Sequence, residues 1–374
     1  MSLNNPKKII ICANTFWNIY NFRLGLINDL KILGYKVIVV AGKDKYEFKV
    51  KELVDDSYTL RIANKGVNPL QDIITIIQLV KILKTVNADF VLLFTIKPVI
   101  YGSIVSIFFK SSFIATITGL GSAFLEQSWV TRLVRLLYKF GLKNINKVIF
   151  QNKYDKEYFI NNNLIIEEKS EVINGSGIDL NKFKFSPLDN NNEFKFVLIG
   201  RLIKDKGINE FVEAANKIKK NNPMTKFLLI GPSSFNDRGA ITLETINKWK
   251  KGGCIEYIGE SKNVINHIQD ASCVILPSYR EGISKVLLEA SAIGRPIITC
   301  DVPGCKDIVI DNHNGFLCKP RDAVDLELKI KKFLSLPFSK RKDMGLKARD
   351  RVEKYFSHDE VFKKYHKIIE EFSQ

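Results

Sequence analysis

The 374-residue chain has no Cys-x-x-Cys pair, no Walker loop, no Gly-x-Gly-x-x-Gly fingerprint and no Asp-x-Asp pair. Its six cysteines (Cys12, Cys254, Cys273, Cys300, Cys305 and Cys318) show no metal-ligand spacing. Several lie inside apolar runs, so they read as buried free thiols of a reducing compartment. Histidine is scarce, with four in all and none before His267. Acidic side chains are also short: 40 Asp and Glu face 57 Lys and Arg, a net charge of +17. That imbalance calls for an anionic partner, whether nucleic acid, a phosphate-rich ligand or a lipid headgroup surface, and charge alone does not choose among them. A long apolar span is missing too. Residues 98–125 carry one charge, Lys110, but Lys110-Ser111-Ser112 divides the stretch and Gly119-Leu120-Gly121-Ser122 ends it. The pieces fall short of the roughly 18 residues of a spanning helix and read as core, with a membrane-facing edge as an option. Lys7-Lys8 leads straight into a short strand-like run, with no signal-peptide apolar region.

What is present is a globular composition, 45% hydrophobic and 26% charged, long enough for two α/β domains of ordinary size. Short β-branched runs alternate with helix-length segments. The strands are expected over 9–13, 36–41, 90–94, 113–117 and 147–151, then over 194–200, 226–231, 254–257, 273–276 and 297–299. Continuous apolar strands separated by helices indicate parallel sheets covered on both faces. The rhythm pauses at the polar stretch 186–193 and then restarts. The expected plan is a Rossmann-like domain over 1–185, a linker over 186–193 and a second Rossmann-like domain over 194–356. A C-terminal helix over 357–374 follows, opened by Ser357 and Glu360 as a capping box, with packing back on the first domain as an option. Two doubly wound domains facing across a cleft would bind ligands in the loops after their strands.

Two such loops in the second domain carry chemistry. After the strand 194–200 comes Gly200-Arg201-Leu202-Ile203-Lys204-Asp205-Lys206-Gly207. Gly200 permits a tight turn, and Arg201 and Lys206 can hold a diphosphate above the sheet edge. A solvated basic loop is the competing reading. After the strand 273–276 comes Pro277-Ser278-Tyr279-Arg280-Glu281-Gly282-Ile283-Ser284-Lys285, then a helix bearing Glu289. The amides of Ile283 to Lys285 at the helix start form an anion site. Glu281 beside it suits a ligand that also presents hydroxyl groups; taken alone, it reads as an exposed acid near a helix start, favoured by the helix dipole.

Together these segments, over about 194–320, resemble the retaining GT-B glycosyltransferases of family 4. Gly200-Arg201 and Lys206-Gly207 look like that family's phosphate loop, and Glu281 and Glu289, with seven residues between, resemble its two-glutamate motif. The resemblance implies that Arg201 and Lys206 grip the donor diphosphate, that Glu281 holds sugar hydroxyls and that Glu289 holds the ribose. Gly282, Ile283, Ser284 and Lys285 complete the nucleotide-sugar site. It implies no cofactor and no metal, with a UDP-sugar as substrate. In the first domain Asn18-Ile19-Tyr20-Asn21-Phe22-Arg23, Thr95-Ile96-Lys97-Pro98 and Thr118-Gly119-Leu120-Gly121-Ser122 are similar to bacterial enzymes that extend lipid-diphosphate-linked sugars. These are α-1,3-N-acetylgalactosaminyl- and galactosyltransferases of surface-glycan and protein-glycosylation pathways. Asn18, Arg23, Lys97, Thr118, Gly119 and Gly121 are accordingly acceptor-side candidates. Many family members carry a His where this chain has Thr118, so that residue's catalytic role does not transfer.

Over 128–147 an amphipathic helix is expected, with Arg132, Arg135, Lys139 and Lys143 on one side and Trp129, Val130, Leu133, Val134, Leu137 and Phe140 beside them. An anionic membrane surface and a lipid-linked acceptor would suit it; a core-packed helix with a solvated basic edge is the plainer reading. The resulting expectation is a metal-independent transfer of GalNAc, GlcNAc or Gal to a lipid-diphosphate-linked saccharide, on the inner face of the cell membrane. Alternatives are a soluble polymer-extending synthase, a sugar-nucleotide epimerase and a basic nucleic-acid-binding protein, although no nucleic-acid motif is recognisable.

Overall fold

The computed structural model describes residues 6–63, 66, 68–120, 129–190, 193–233 and 239–373. The chain divides into two units, residues 1–177 with 358–374, and residues 178–357. Each is built on one parallel sheet.

In the first unit the strands are β1 (Lys8–Ala13), β2 (Lys36–Gly42), β3 (Asp56–Leu60), β4 (Phe90–Phe94), β5 (Ser112–Ile117), β6 (Lys147–Phe150) and β7 (Ser170–Val172). They lie in the order β3-β2-β1-β4-β5-β6-β7. The helices are α1 (Phe16–Phe22), α2 (Leu24–Ile32), α3 (Glu47–Lys51), α4 (Pro69–Val86), α5 (Ile96–Val105), α6 (Trp129–Gly141), α7 (Lys153–Asn161) and, from the end of the chain, the helix His358–Glu371. In β1 all but Lys8 are buried, as expected for a strand with helices on both faces. Ile10 and Cys12 face one apolar cluster, with Leu79, Leu83, Val99 and Tyr138. Ile9 and Ile11 face the other, with Leu26, Ile27, Tyr365 and Ile368.

The second unit holds β8 (Lys195–Ile199), β9 (Lys226–Ile230), β10 (Glu256–Gly259), β11 (Cys273–Leu276), β12 (Ile297–Cys300) and β13 (Gly315–Cys318). Their order is β10-β9-β8-β11-β12-β13, all parallel. Its helices are α8 (Ile208–Asn221), α9 (Leu243–Lys251), α10 (Val264–Gln269), α11 (Lys285–Ile293), α12 (Ala323–Ser335) and α13 (Phe338–Tyr355); the C-terminal helix of the first unit is therefore α14. The strand order reverses between β8 and β11, which pair through Phe196 with Cys273 and Val197 with Val274. The loops after these two strands diverge at a topological switch point, where such sheets bind ligands.

The boundaries differ from those expected. The units part at 177/178 and 357/358, so residues 178–185 belong to the second unit. The expected linker is tied down at its start. Buried Arg295 donates from Nη1 to Ser186 O at 2.9 Å and from Nη2 to Pro187 O at 3.2 Å, and Ser186 N reaches Ile293 O at 3.0 Å. Residues 191–192 of it lie outside the described residues.

α14 packs in the first unit. Tyr365 sits 6.3 Å from Phe94, centroid to centroid, and its hydroxyl lies 3.1 Å from Thr116 Oγ1. His358 Nε2 meets Asp29 Oδ2 at 2.6 Å. A Tyr365→Ala variant should lose about 3–5 kcal/mol of stability in the first unit, the usual cost of truncating a buried aromatic. Urea unfolding monitored in that unit would measure it; a loss below ~1 kcal/mol would remove α14 from its core.

Candidate functional site

The loop that follows β8 makes one turn of 3-10 helix over Lys204–Lys206 and enters α8 through Gly207 at φ +70°. A Cβ there would lie 2.1 Å from Pro277 O, so only glycine lets this loop lie against the one after β11. Tyr279 N donates to Asp205 O at 2.9 Å, and Tyr279 Oη donates to Glu210 Oε1 at 2.7 Å. Burial and that carboxylate both push the Tyr279 phenol up. Arg321 lies over its ring at 4.8 Å.

Across this seam Lys206 Nζ pairs directly with Glu281 Oε1. The two side chains are only 19% and 13% exposed, so the reading of Glu281 as a solvated acid at a helix start does not hold. Glu281 N donates to Pro303 O at 3.3 Å, and Gly304, at φ +78°, presses on the same turn. A Cβ on Gly304 would come within 2.5 Å of Glu281 O. Three loops therefore interlock around the pair.

Glu289 stands in α11, nearly buried, with Lys285 Nζ 3.9 Å away. Burial raises its carboxyl above the usual range, against the pull of Lys285 and Lys182. Arg201 is exposed at the end of β8, just past half-buried Gly200. Gly282 and Ile283 are half-buried in the turn. One expectation needs correction. Ser284 N donates to Gly304 O at 3.4 Å, so the anion site expected from the Ile283 to Lys285 amides is narrower. The loop after β12 occupies that donor.

Sequence reasoning missed Tyr279, Glu210, Gly304 and Arg321, which hold the loops of this seam together. The Pro303-Gly304 pair was the one available signal, a turn directly after a buried strand. Among the described residues no group of His, Cys, Asp or Glu is placed to hold a metal ion.

The first unit treats its candidates unevenly. Asn18 is half-buried in α1, with no hydrogen-bond partner for Oδ1 among the described residues. Arg23 is not on an open loop: it is buried, its guanidinium lies 4.0 Å from the centre of the Phe94 ring, and burial lowers its pKa. Lys97 pairs with Asp72 at 3.0 Å. Thr118 and Gly119, the latter at φ +118°, are half-buried after β5. Gly121 lies outside the described residues, as does Ser128.

The basic helix also departs from expectation. α6 ends at Gly141, and Lys143 falls in a 3-10 turn beyond it, 5.7 Å from the centre of the Phe140 ring. Val134 and Leu137 pack on the core, whereas Trp129, Leu136 and Phe140 stand 51–69% exposed beside exposed Arg132 and Lys139. Arg135 is bonded to Asn162 and lies over Tyr158, so it is held by α7.

Comparison with known proteins agrees with both units. Residues 179–351 match the family model of glycosyl transferases group 1, and residues 8–152 match glycosyl transferase 4-like. The chain is 29% identical over 330 residues, 84% of its length and 85% of the relative's, to an N,N'-diacetylbacillosaminyl-diphospho-undecaprenol α-1,3-N-acetylgalactosaminyltransferase of Campylobacter jejuni. It is 27% identical over 276 residues, 69% of each chain, to a UDP-Gal:α-D-GlcNAc-diphosphoundecaprenol α-1,3-galactosyltransferase of Escherichia coli. In fold it is similar to a glycosyltransferase of Rickettsia africae (TM-score 0.80, 20% identity, 98% and 99% of the two chains). It is also similar to Anabaena HepE in complex with UDP (TM-score 0.79, 17% identity, 98% and 100%).

Glu289 supports a stability test. Its raised folded-state pKa means that ionisation opposes folding, so stability is lost as pH rises from the ordinary carboxylate range through the raised value. Glu289→Gln should therefore raise the Tm of the ligand-free protein by a few degrees at neutral pH and by nothing at pH 4. An equal gain at both pH values would mean that charge burial is not the cause.

The two parallel-sheet units, the interlocked loops at the switch point of the second and these matches together identify the chain as a glycosyltransferase of the GT-B fold, with a 4-like domain followed by a group 1 domain, related to enzymes that act on lipid-diphosphate-linked sugars.

Proposed function

We propose that this chain moves a sugar, with retention at the anomeric carbon and without a metal ion, from a UDP-sugar to a lipid-diphosphate-linked saccharide at an anionic membrane surface. The observation that carries the reading is the Lys206–Glu281 pair, held between the loops of two neighbouring strands at a switch point. A cation and a carboxylate this close, with little solvent, suit a ligand that is anionic at one end and rich in hydroxyls at the other.

In the proposed cycle Lys206 and Arg201 neutralise the charge that builds on the departing diphosphate as the bond from the anomeric carbon to its oxygen breaks. Preorganised cations are effective there because they need no reorganisation during the step. Glu281 accepts hydrogen bonds from the donor sugar, and Glu289 from the ribose. The leaving phosphate oxygen takes the proton of the attacking hydroxyl on the same face of the sugar. Donors with GalNAc, GlcNAc or Gal are the ones to try, since two relatives are named for GalNAc and Gal transfer.

For membrane association, the supporting observation is α6, where exposed Trp129, Leu136 and Phe140 run beside Arg132 and Lys139, with Lys143 in the turn just beyond. Among the described residues no helix is long and apolar enough to cross a membrane. An amphipathic helix of this kind lies in the interface plane.

Mass spectrometry of products from a panel of UDP-sugars and undecaprenyl-diphosphate saccharides tests the activity. With the active pair, Lys206→Ala should lower kcat about 10²–10³-fold, the usual cost of one transition-state donor. Undiminished turnover would exclude Lys206 from the chemistry. Replacing Arg132, Lys139 and Lys143 together by Gln should weaken binding to phosphatidylglycerol vesicles by roughly 3 kcal/mol at low salt, about 1 per cation. Vesicle binding unaffected by the triple change would exclude α6 from the contact.

A further inference from the structure

We propose that α4 is a second membrane-contacting element, inserting Leu70, Ile73, Ile74 and Ile77 into the interfacial layer of an anionic bilayer. The inference rests on the peripheral-membrane reading above and adds a surface to it.

α4 is apolar on two faces. Thr75, Leu79, Leu83 and Val86 are buried against the sheet, as an amphipathic helix requires. Ile76, Val80 and Ile82 pack partly buried against the same core, but four apolar residues point the other way: Leu70, Ile73, Ile74 and Ile77, at successive offsets of three, one and three, are 47–77% exposed. They form one stripe over the first two to three turns. Contiguous branched aliphatic side chains on an outer helix face are uncommon where nothing covers them. Further along the same stripe come exposed Lys81 and Lys84. An apolar stripe continued by lysines is the pattern of a helix whose side chains enter the acyl boundary while cations reach the headgroups.

Charge separates a bilayer from other occupants. Between Arg61 and Lys147 the chain has eleven Lys and Arg against three acids, Asp72, Asp89 and Glu126. Asp72 is paired with Lys97 at 3.0 Å, and Asp89 Oδ2 accepts from Lys8 N at 2.7 Å. Glu126 lies outside the described residues. Pairing with Lys97 cancels one charge of each sign, so the stretch keeps its excess of cations. A like-charged second copy would bring these lysines against each other; an anionic surface would not.

Geometry links α4 to α6. Leu79 and Leu83 of α4, Val99 and Ile100 of α5, and Tyr138 of α6 share one apolar cluster on one face of the seven-stranded sheet. α4 and α6 thus lie in one outer layer, and each carries exposed apolar side chains. One interfacial helix leaves the domain free to roll about its axis. Two in the same layer fix which loops face the headgroups.

The test uses the full chain and vesicles of phosphatidylglycerol mixed equally with phosphatidylcholine. Three proteins are compared: wild type, Ile73→Ser with Ile77→Ser, and Lys139→Gln with Lys143→Gln. Because Ile73 and Ile77 are exposed, the α4 variant should keep the wild-type Tm. It should bind the vesicles at least tenfold more weakly. All six native cysteines are buried, so an environment-sensitive dye on Ile74→Cys reports that position alone, and its emission should shift to the blue on adding vesicles. If wild type binds and the α4 variant binds equally well with no dye shift, α4 makes no contact and α6 alone carries the docking. If wild type ignores anionic vesicles altogether, the peripheral-membrane reading itself falls. If wild type is a dimer in vesicle-free buffer and the α4 variant a monomer, the stripe is covered by a second copy and the inference is overturned.

Discussion

The largely buried ion pair between Lys206 and Glu281 is the contact on which the candidate site depends. Two opposite charges with little solvent are stable only if their positions are tightly set, because an imperfect pair does not repay its desolvation. The fold supplies that precision from several directions. β8 and β11 are hydrogen-bonded neighbours, so the loops that leave them start from a fixed separation. Gly207 lets the first loop touch Pro277, and Gly304 lets the loop after β12 press beneath Glu281. The Tyr279 to Asp205 and Tyr279 to Glu210 bonds close the seam. A pair that satisfies itself in the free protein is also one that an anionic, hydroxyl-bearing ligand can divide, its phosphate meeting the cation and its hydroxyls the carboxylate.

Glu289 is held at a cost in stability. A carboxylate buried in the second turn of α11 is a cost to the empty domain, only partly offset by Lys285 and Lys182. Residues held against their own solvation concentrate at sites where a ligand later supplies the missing partner.

Much of this was legible in the sequence, for identifiable reasons. Strands β1, β2, β4, β5, β8, β9, β11 and β12 lie inside their sheets, so both faces are apolar and they stand out as continuous runs. The missed strands β3, β7 and β13 are edge strands with one neighbour each, and Asp56–Leu60 and Ser170–Val172 are too polar or too short to show a pattern. The fourth edge strand, β10, was placed two residues early. The linker misled because a polar stretch reads as free, whereas Arg295, more than a hundred residues later, pins its start. In the site, Lys206 and Glu281 were readable from the two loops that the structure brings together. Tyr279, Glu210 and Arg321 were not, because their value lies in contacts across the seam. The burial of Arg23 was not readable either: only packing reveals that its guanidinium lies over the Phe94 ring.

The central claim is that Lys206 and Glu281 form the floor of a nucleoside-diphosphate pocket. Calorimetric titration of UDP into the full chain, at low and moderate salt, tests it most directly. The expected result is saturable binding that weakens as salt rises and falls at least tenfold in Lys206→Ala. UDP binding of equal strength in wild type and Lys206→Ala, or none in either, would contradict it.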